Sequence, residues 1–119
     1  MADCIFCRIA AGEIPATIVG RTDDAVAFRD VNPQAPTHVL VIPTKHLASM
    51  TDADSDEAEV ALGRTMRLAV QVAKTLGLDD GGYRMVVNTG RDGSQSVGHV
   101  HVHLLAGRRM GWPPYPPSN

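Results

Sequence analysis

Polar and apolar positions alternate most strictly along His99-Val100-His101-Val102-His103-Leu104. Alternation of this kind with β-branched residues predicts a strand. Successive strand side chains point to opposite faces, so His99, His101 and His103 are expected on one face, roughly 6.5–7 Å apart. Four more apolar runs predict strands: residues 17–21 and 25–29 around a turn at Thr22, Asp23 and Asp24, then 37–43, then 83–88. The run 37–43 is almost wholly aliphatic or β-branched, as a central buried strand requires. The loop before it, 30–36, carries Pro33 and Pro36 and is neither helix nor central strand.

Helical periodicity occurs twice. Residues 5–11 predict a short helical turn ended by Gly12. A longer helix follows the acidic run between Asp52 and Glu59, whose carboxylates suit the positive end of a helix dipole. Its expected core stripe is Leu62, Met66, Ala69, Ala73 and Leu76, with Gly77 ending it. The sum is an α+β fold: one domain over residues 1–119, an antiparallel sheet of about five strands, one main helix and a short N-terminal helix. Residues 107–119 form a Pro-rich tail holding four prolines and the only tryptophan, placed to lie over a site or a partner subunit.

Composition narrows the function. Hydrophobic residues make up 44% and charged residues 20%, as in an ordinary globular protein, while 4% aromatics imply an aliphatic core. The net charge of −2 lacks the basic excess of a nucleic-acid footprint, so no nucleic-acid partner is expected. Neither a signal-peptide pattern nor a membrane-spanning run is present in the sequence, and a cytoplasmic location is expected. In a reducing compartment no permanent disulfide is expected between Cys4 and Cys7. A thioredoxin-like βαβ pattern is absent, so a zinc half-site is the better reading, with simple packing of two small side chains as the alternative. Three of the five histidines stand together, preceded by the polar loop 88–96, and there chemistry is expected.

The segment His99-Val100-His101-Val102-His103-Leu104-Leu105 resembles the signature of the histidine triad (HIT) superfamily. Residues 30–43, 82–88, Gln95-Ser96-Val97 and Trp112-Pro113-Pro114 resemble its Hint branch, the purine nucleoside phosphoramidases, and residues 4–15 resemble the opening of bacterial members. This resemblance implies a HIT-like fold whose sheets join across a homodimer. It also implies hydrolysis of a purine nucleoside 5′-phosphoramidate, such as AMP-lysine or an aminoacyl-adenylate, through a nucleotidyl-histidine intermediate.

Carried over by position, His101 is the nucleophile, His103 contacts the phosphoryl oxygens, His38 supports it, and Ser96 meets the leaving amine. His99 completes the triad. Asn88, Ser94, Gln95, Ser96 and Val97 surround the phosphate, Asp30 takes the ribose hydroxyls, and Ile9, Ile14, Phe28 and Val31 wall the base. The resemblance implies no metal in catalysis and a structural zinc on Cys4, Cys7, His46 and His99. Two positions depart from the family pattern: Gly98 stands where a bulky aromatic is usual, and Ser94 where a glycine is common. Other readings are a dinucleoside polyphosphate hydrolase of the same superfamily, a nucleotide-binding regulatory module, and a hydrolase using His99, His101 and His103 as zinc ligands.

Overall fold

A computed structural model describes residues 4–115. Five strands form one antiparallel sheet: β1 (Ile18–Arg21), β2 (Ala25–Arg29), β3 (Thr37–Pro43), β4 (Tyr83–Val87) and β5 (Val102–Ala106), in spatial order β1-β2-β3-β5-β4. The aliphatic strand β3 lies at the centre, and all of its residues after Thr37 are buried. Two helices, α1 (Ile5–Ala10) and α2 (Asp56–Thr75), lie against opposite faces of the sheet.

Strand alternation decides what each face meets. Ala25, Ala27, Val39, Val41, Val102 and Leu104 pack on Leu68, Ala69, Val72 and Ala73 of α2. The intervening Val26, Phe28, Leu40 and Ile42 pack on Phe6 and Ile9 of α1. A six-residue helix is not stable alone in water. Burying Phe6 and Ile9 contributes roughly 1.5–3 kcal/mol each, and this docking holds α1 on the sheet. Its first turn is capped by Cys4, whose Sγ accepts the Cys7 backbone N–H at 3.2 Å.

The main helix begins later than the acidic run suggests. Asp52 belongs to a 3₁₀ turn, Met50–Asp52, and Ser55 is the N-cap, its hydroxyl accepting from the Ala58 N–H at 3.1 Å. Its core stripe also differs. Met66 is 38% exposed, while Thr65, Leu68 and Val72 are buried with Ala69 and Ala73. Buried Thr65 is tolerated because its hydroxyl donates to the Ala61 carbonyl at 2.8 Å.

The histidine strand is shorter than its alternation predicts. Only His103 lies within β5; His99 and His101 precede it. In the β3–β5 register Val102 stands opposite Val41, so Val100 would stand opposite Pro43, which has no N–H to extend the ladder. Instead the Val100 N–H donates to Leu47 O at 2.7 Å and the His99 N–H to Val97 O at 2.9 Å. Of the tail, Trp112 and Tyr115 are exposed, and residues 116–119 lie outside the described residues.

Candidate active site and metal centre

His38 and His103 project from neighbouring strands β3 and β5 on the α1 side, where they meet as diagonal partners. The Gln34 backbone N–H donates to His38 Nδ1 at 2.9 Å. A backbone N–H can only donate, so the proton of neutral His38 sits on Nε2. That N–H faces His103 Nδ1 at 2.9 Å and Asp30 Oδ2 at 3.3 Å. His103 therefore accepts on Nδ1 and presents its own Nε2–H outward as a donor.

His101 is fixed by the same logic with the nitrogens reversed. Its Nδ1 lies 2.8 Å from the His99 carbonyl oxygen, which can only accept. Nδ1 carries the hydrogen and Nε2 keeps the lone pair. Among the described residues no buried side-chain nitrogen is left without a partner, so this Nε2 opens to the cleft that His101 lines. The His101 and His103 rings stand 5.0 Å apart, closer than alternate strand positions would set them. Burial, with the neighbouring His101 and His38, pushes His103 down to about 4, and burial also lowers His38 against the pull of Asp30. Both stay neutral at pH 7.

The cleft beside them holds about 310 Å³, enough for a small ligand. Its walls include Phe6, Ile9, Ile14, Phe28 and Val97, and its polar groups are Asp30, Ser96, His101 and His103 with Arg29. Asp30 also caps its own loop, Oδ1 accepting from the Asn32 N–H at 2.9 Å, so the turn-capping and ligand-facing readings hold together.

A second cluster lies at the other end of the histidine run. Ligand atoms of Cys4, Cys7, His46 and His99 all lie within 4.8 Å of one another. His99 is fully buried, and its Nε2 is 2.9 Å from the Pro43 carbonyl, which leaves Nδ1 as a lone pair. That Nδ1 is 3.3 Å from Cys4 Sγ, 3.4 Å from Cys7 Sγ and 3.1 Å from His46 Nδ1, and Cys7 Sγ is 3.2 Å from His46 Nδ1. Tetrahedral zinc would set such atoms about 3.3–3.8 Å apart. The donor set fits that ion. Burial and the adjacent Cys4 push the Cys7 thiol up to about 11, so a cation is what would stabilise two thiolates here. His99, His101 and His103 do not converge on one point: His99 faces the cysteines and His103 faces His38.

A family model for the HIT domain matches residues 11–110. The chain belongs to the HIT domain family. This HIT domain is 46% identical over 109 residues to a purine nucleoside phosphoramidase of Escherichia coli strain K12, covering 92% of this chain and 91% of that protein. It is 50% identical over 112 residues to a 14 kDa zinc-binding protein of Zea mays, covering 92% and 86%. Among solved structures, a HIT family hydrolase from Legionella pneumophila Philadelphia 1 superposes with a TM-score of 0.90 at 49% identity, covering 95% of this chain and all of that one.

Within the HIT domain, Asp30, Val31, Ser96, Val97, His101, His103, Ile9, Ile14 and Phe28 line the cleft as a group. Val31 is fully exposed and stands at the mouth. Three residues assigned to the phosphate by resemblance do not line the cleft. Asn88 Nδ2 donates to the Gly93 carbonyl at 2.6 Å, Ser94 turns the loop with φ 60°, and the Gln95 amide bonds to backbone. Phe6 was not anticipated. It sits edge-on to Phe28, His99 and His101 at 5.6, 6.1 and 5.1 Å, between the cluster and the cleft. Its place between the two cysteines was the available signal.

Proposed function

We propose that this HIT-domain hydrolase cleaves the P–N bond of purine nucleoside 5′-phosphoramidates through a nucleotidyl intermediate on His101. The observation that carries the reading is the His101 tautomer: Nδ1–H is tied to the His99 carbonyl and Nε2 is free in the cleft. A neutral imidazole held in this way is a competent nucleophile.

The steps follow from the groups present. With the base among Ile9, Ile14, Phe28 and Val31 and the ribose hydroxyls on Asp30, the α-phosphorus meets His101. The Nε2 lone pair forms the N–P bond as the P–N bond to the leaving amine breaks. That amine leaves with a proton, and the Ser96 hydroxyl lies at the cleft to donate to it. His103 Nε2–H, locked as a donor by His38, stabilises the charge on the phosphoryl oxygens. Water then attacks phosphorus, the N–P bond breaks, and nucleoside monophosphate departs with His101 neutral again. The attacking water gives up one proton, which restores the Ser96 hydroxyl, so every group returns to its starting state. Zinc on Cys4, Cys7, His46 and His99 would hold His99, and with it the carbonyl that orients His101.

Two further parts of the reading concern assembly and place. Among the described residues β4 ends the sheet with one side unpaired, and α2 exposes Val60, Met66 and Val70. A second copy continuing the sheet would cover both, giving the homodimer. No helix among the described residues is long and apolar enough to cross a membrane. Two free thiols serving as metal ligands suit the reducing cytoplasm.

The test is phosphorus NMR of an adenosine 5′-phosphoramidate with wild type and with His101→Ala, beside a diadenosine polyphosphate. The reading expects conversion of the phosphoramidate to AMP by wild type alone, faster than any cleavage of the polyphosphate. Undiminished AMP production by His101→Ala would overturn it.

A further inference from the structure

One side chain holds together the loop that leads into the histidine run. Gln95 Oε1 accepts the Gly90 backbone N–H at 3.1 Å, while the Gln95 backbone N–H donates to Gly90 O at 3.0 Å. Gln95 Nε2 donates to Val97 O at 2.9 Å and, across a gap of 47 residues in the chain, to Ala48 O at 2.7 Å. Both amide hydrogens go to backbone carbonyls and the amide oxygen takes one backbone N–H, leaving no donor for a ligand. Ala48 follows His46 by two residues, and Leu47 between them accepts the Val100 N–H. The segment 46–48 is thereby fastened to the loop at Gln95 and to the histidine run at Val100.

The rest of the loop is tightly turned. A Cβ at Gly93 would come within 2.4 Å of the Thr89 carbonyl oxygen, and Ser94 holds φ 60°, a region few side chains adopt. Asn88 ties the same turn through Gly93 O. After Ser94 the chain brings Ser96 and Val97 to the cleft beside His101 and His103. The Gln95 amide ties this stretch at Val97 to Gly90 and to Ala48.

We propose that Gln95 is a positioning residue for phosphoryl transfer: its carboxamide sets Ser96 and Val97 against the reacting phosphate and carries to them the placement of residues 46–48. This rests on the phosphoramidase reading. Donors to a developing charge work when they are held in place beforehand, and a displacement of about 1 Å costs on the order of 100-fold in rate.

Two variants separate positioning from bulk. Gln95→Met keeps the length and removes every polar contact. Gln95→Glu keeps an acceptor for Gly90 but turns an oxygen toward the Ala48 and Val97 carbonyls. With adenosine 5′-phosphoramidate, both should lose roughly 10- to 100-fold in kcat with KM within about threefold of wild type. The ratio of Gln95→Glu to wild-type kcat should rise as pH falls, because the protonated carboxyl regains one donor, while the Gln95→Met ratio stays flat. Wild-type kcat in both variants, or a flat ratio for Gln95→Glu, overturns the proposal. Hydrogen exchange with AMP bound keeps the two readings apart. If wild type fails to turn over, the phosphoramidase reading falls, and the role of Gln95 is read from AMP-dependent protection of the Ser96 and Val97 amides. Protection lost in both variants supports it, and protection retained overturns it.

Discussion

Two histidine clusters share one short stretch of chain and are built for different work. At one end His99 gives its Nε2–H to the Pro43 carbonyl and turns Nδ1 toward two thiols. Two residues on, His101 gives its Nδ1–H to the His99 carbonyl and turns Nε2 into an apolar cleft. The residue type is the same and both rings are buried. What differs is which nitrogen a carbonyl has claimed, and what stands opposite the other one. Soft thiolates beside a free nitrogen make a metal centre. An open cleft with a donor beside it suits a nucleophile, the role proposed for His101. The His99 carbonyl joins the two, since it belongs to one cluster and orients the other.

The sharpest way to break the comparison is to disable each cluster separately. His101→Ala should lower the steady-state rate of AMP release by at least about 1000-fold, while zinc content and melting temperature stay at wild-type values. Cys4→Ser with Cys7→Ser should do the opposite: zinc measured by mass spectrometry is lost and the melting temperature drops by about 8 °C or more, roughly 2 kcal/mol in a domain of this size. Measured well below melting, that variant should keep kcat within about tenfold of wild type.

His38 offers a smaller effect within the cleft. His38→Ala removes the donor that fixes the His103 tautomer, and kcat should fall by roughly 10- to 100-fold, with partial recovery in His38→Gln. A variant at wild-type rate would show that His103 needs no such lock.

Acid should weaken the fold through the buried histidines of the cleft. His103 is pushed from 6.5 to about 4, and His38 is also lowered, both chiefly by burial. Between those values the unfolded chain binds more protons than the folded one, so this stability is fully present above pH 6.5 and is lost as pH falls toward 4. Thermal scans should show the melting temperature falling over that window by about 4 °C or more, the effect of about 1 kcal/mol. His103→Asn should flatten the curve.

The smallest effect is expected at Gly98. A Cβ there meets nothing within 4 Å, so Gly98→Phe should leave the melting temperature within about 2 °C of wild type. Its aromatic ring should alter the relative kcat/KM of bulky and small leaving amines, as measured with paired substrates.

Much of this arrangement was legible in the residues. Runs of β-branched and apolar residues located all five strands, because each packs apolar side chains on the core, fully in β2, β3 and β5 and partly in β1 and β4. The Cys4 and Cys7 pair marked the metal centre, although resemblance was needed to add His46 and His99. Alternation misled at His99 and His101, since period two describes any extended backbone, and the missing N–H of Pro43 ends the ladder at Val102. The α2 stripe was misjudged at Met66 because Thr65 can be buried once its hydroxyl bonds within the helix. The residues alone suggested ligand contacts for Gln95 and Asn88; that their amides also bond the loop backbone is seen only from three-dimensional partners.

The measurement that tests the account most directly is the intact mass of the protein, acid-quenched within one turnover of adenosine 5′-phosphoramidate. Wild type should carry a single adenylyl adduct that disappears as AMP accumulates, and His101→Ala should carry none. An adduct formed equally on His101→Ala, or turnover in wild type with no adduct at any quench time, would contradict His101 as the nucleophile.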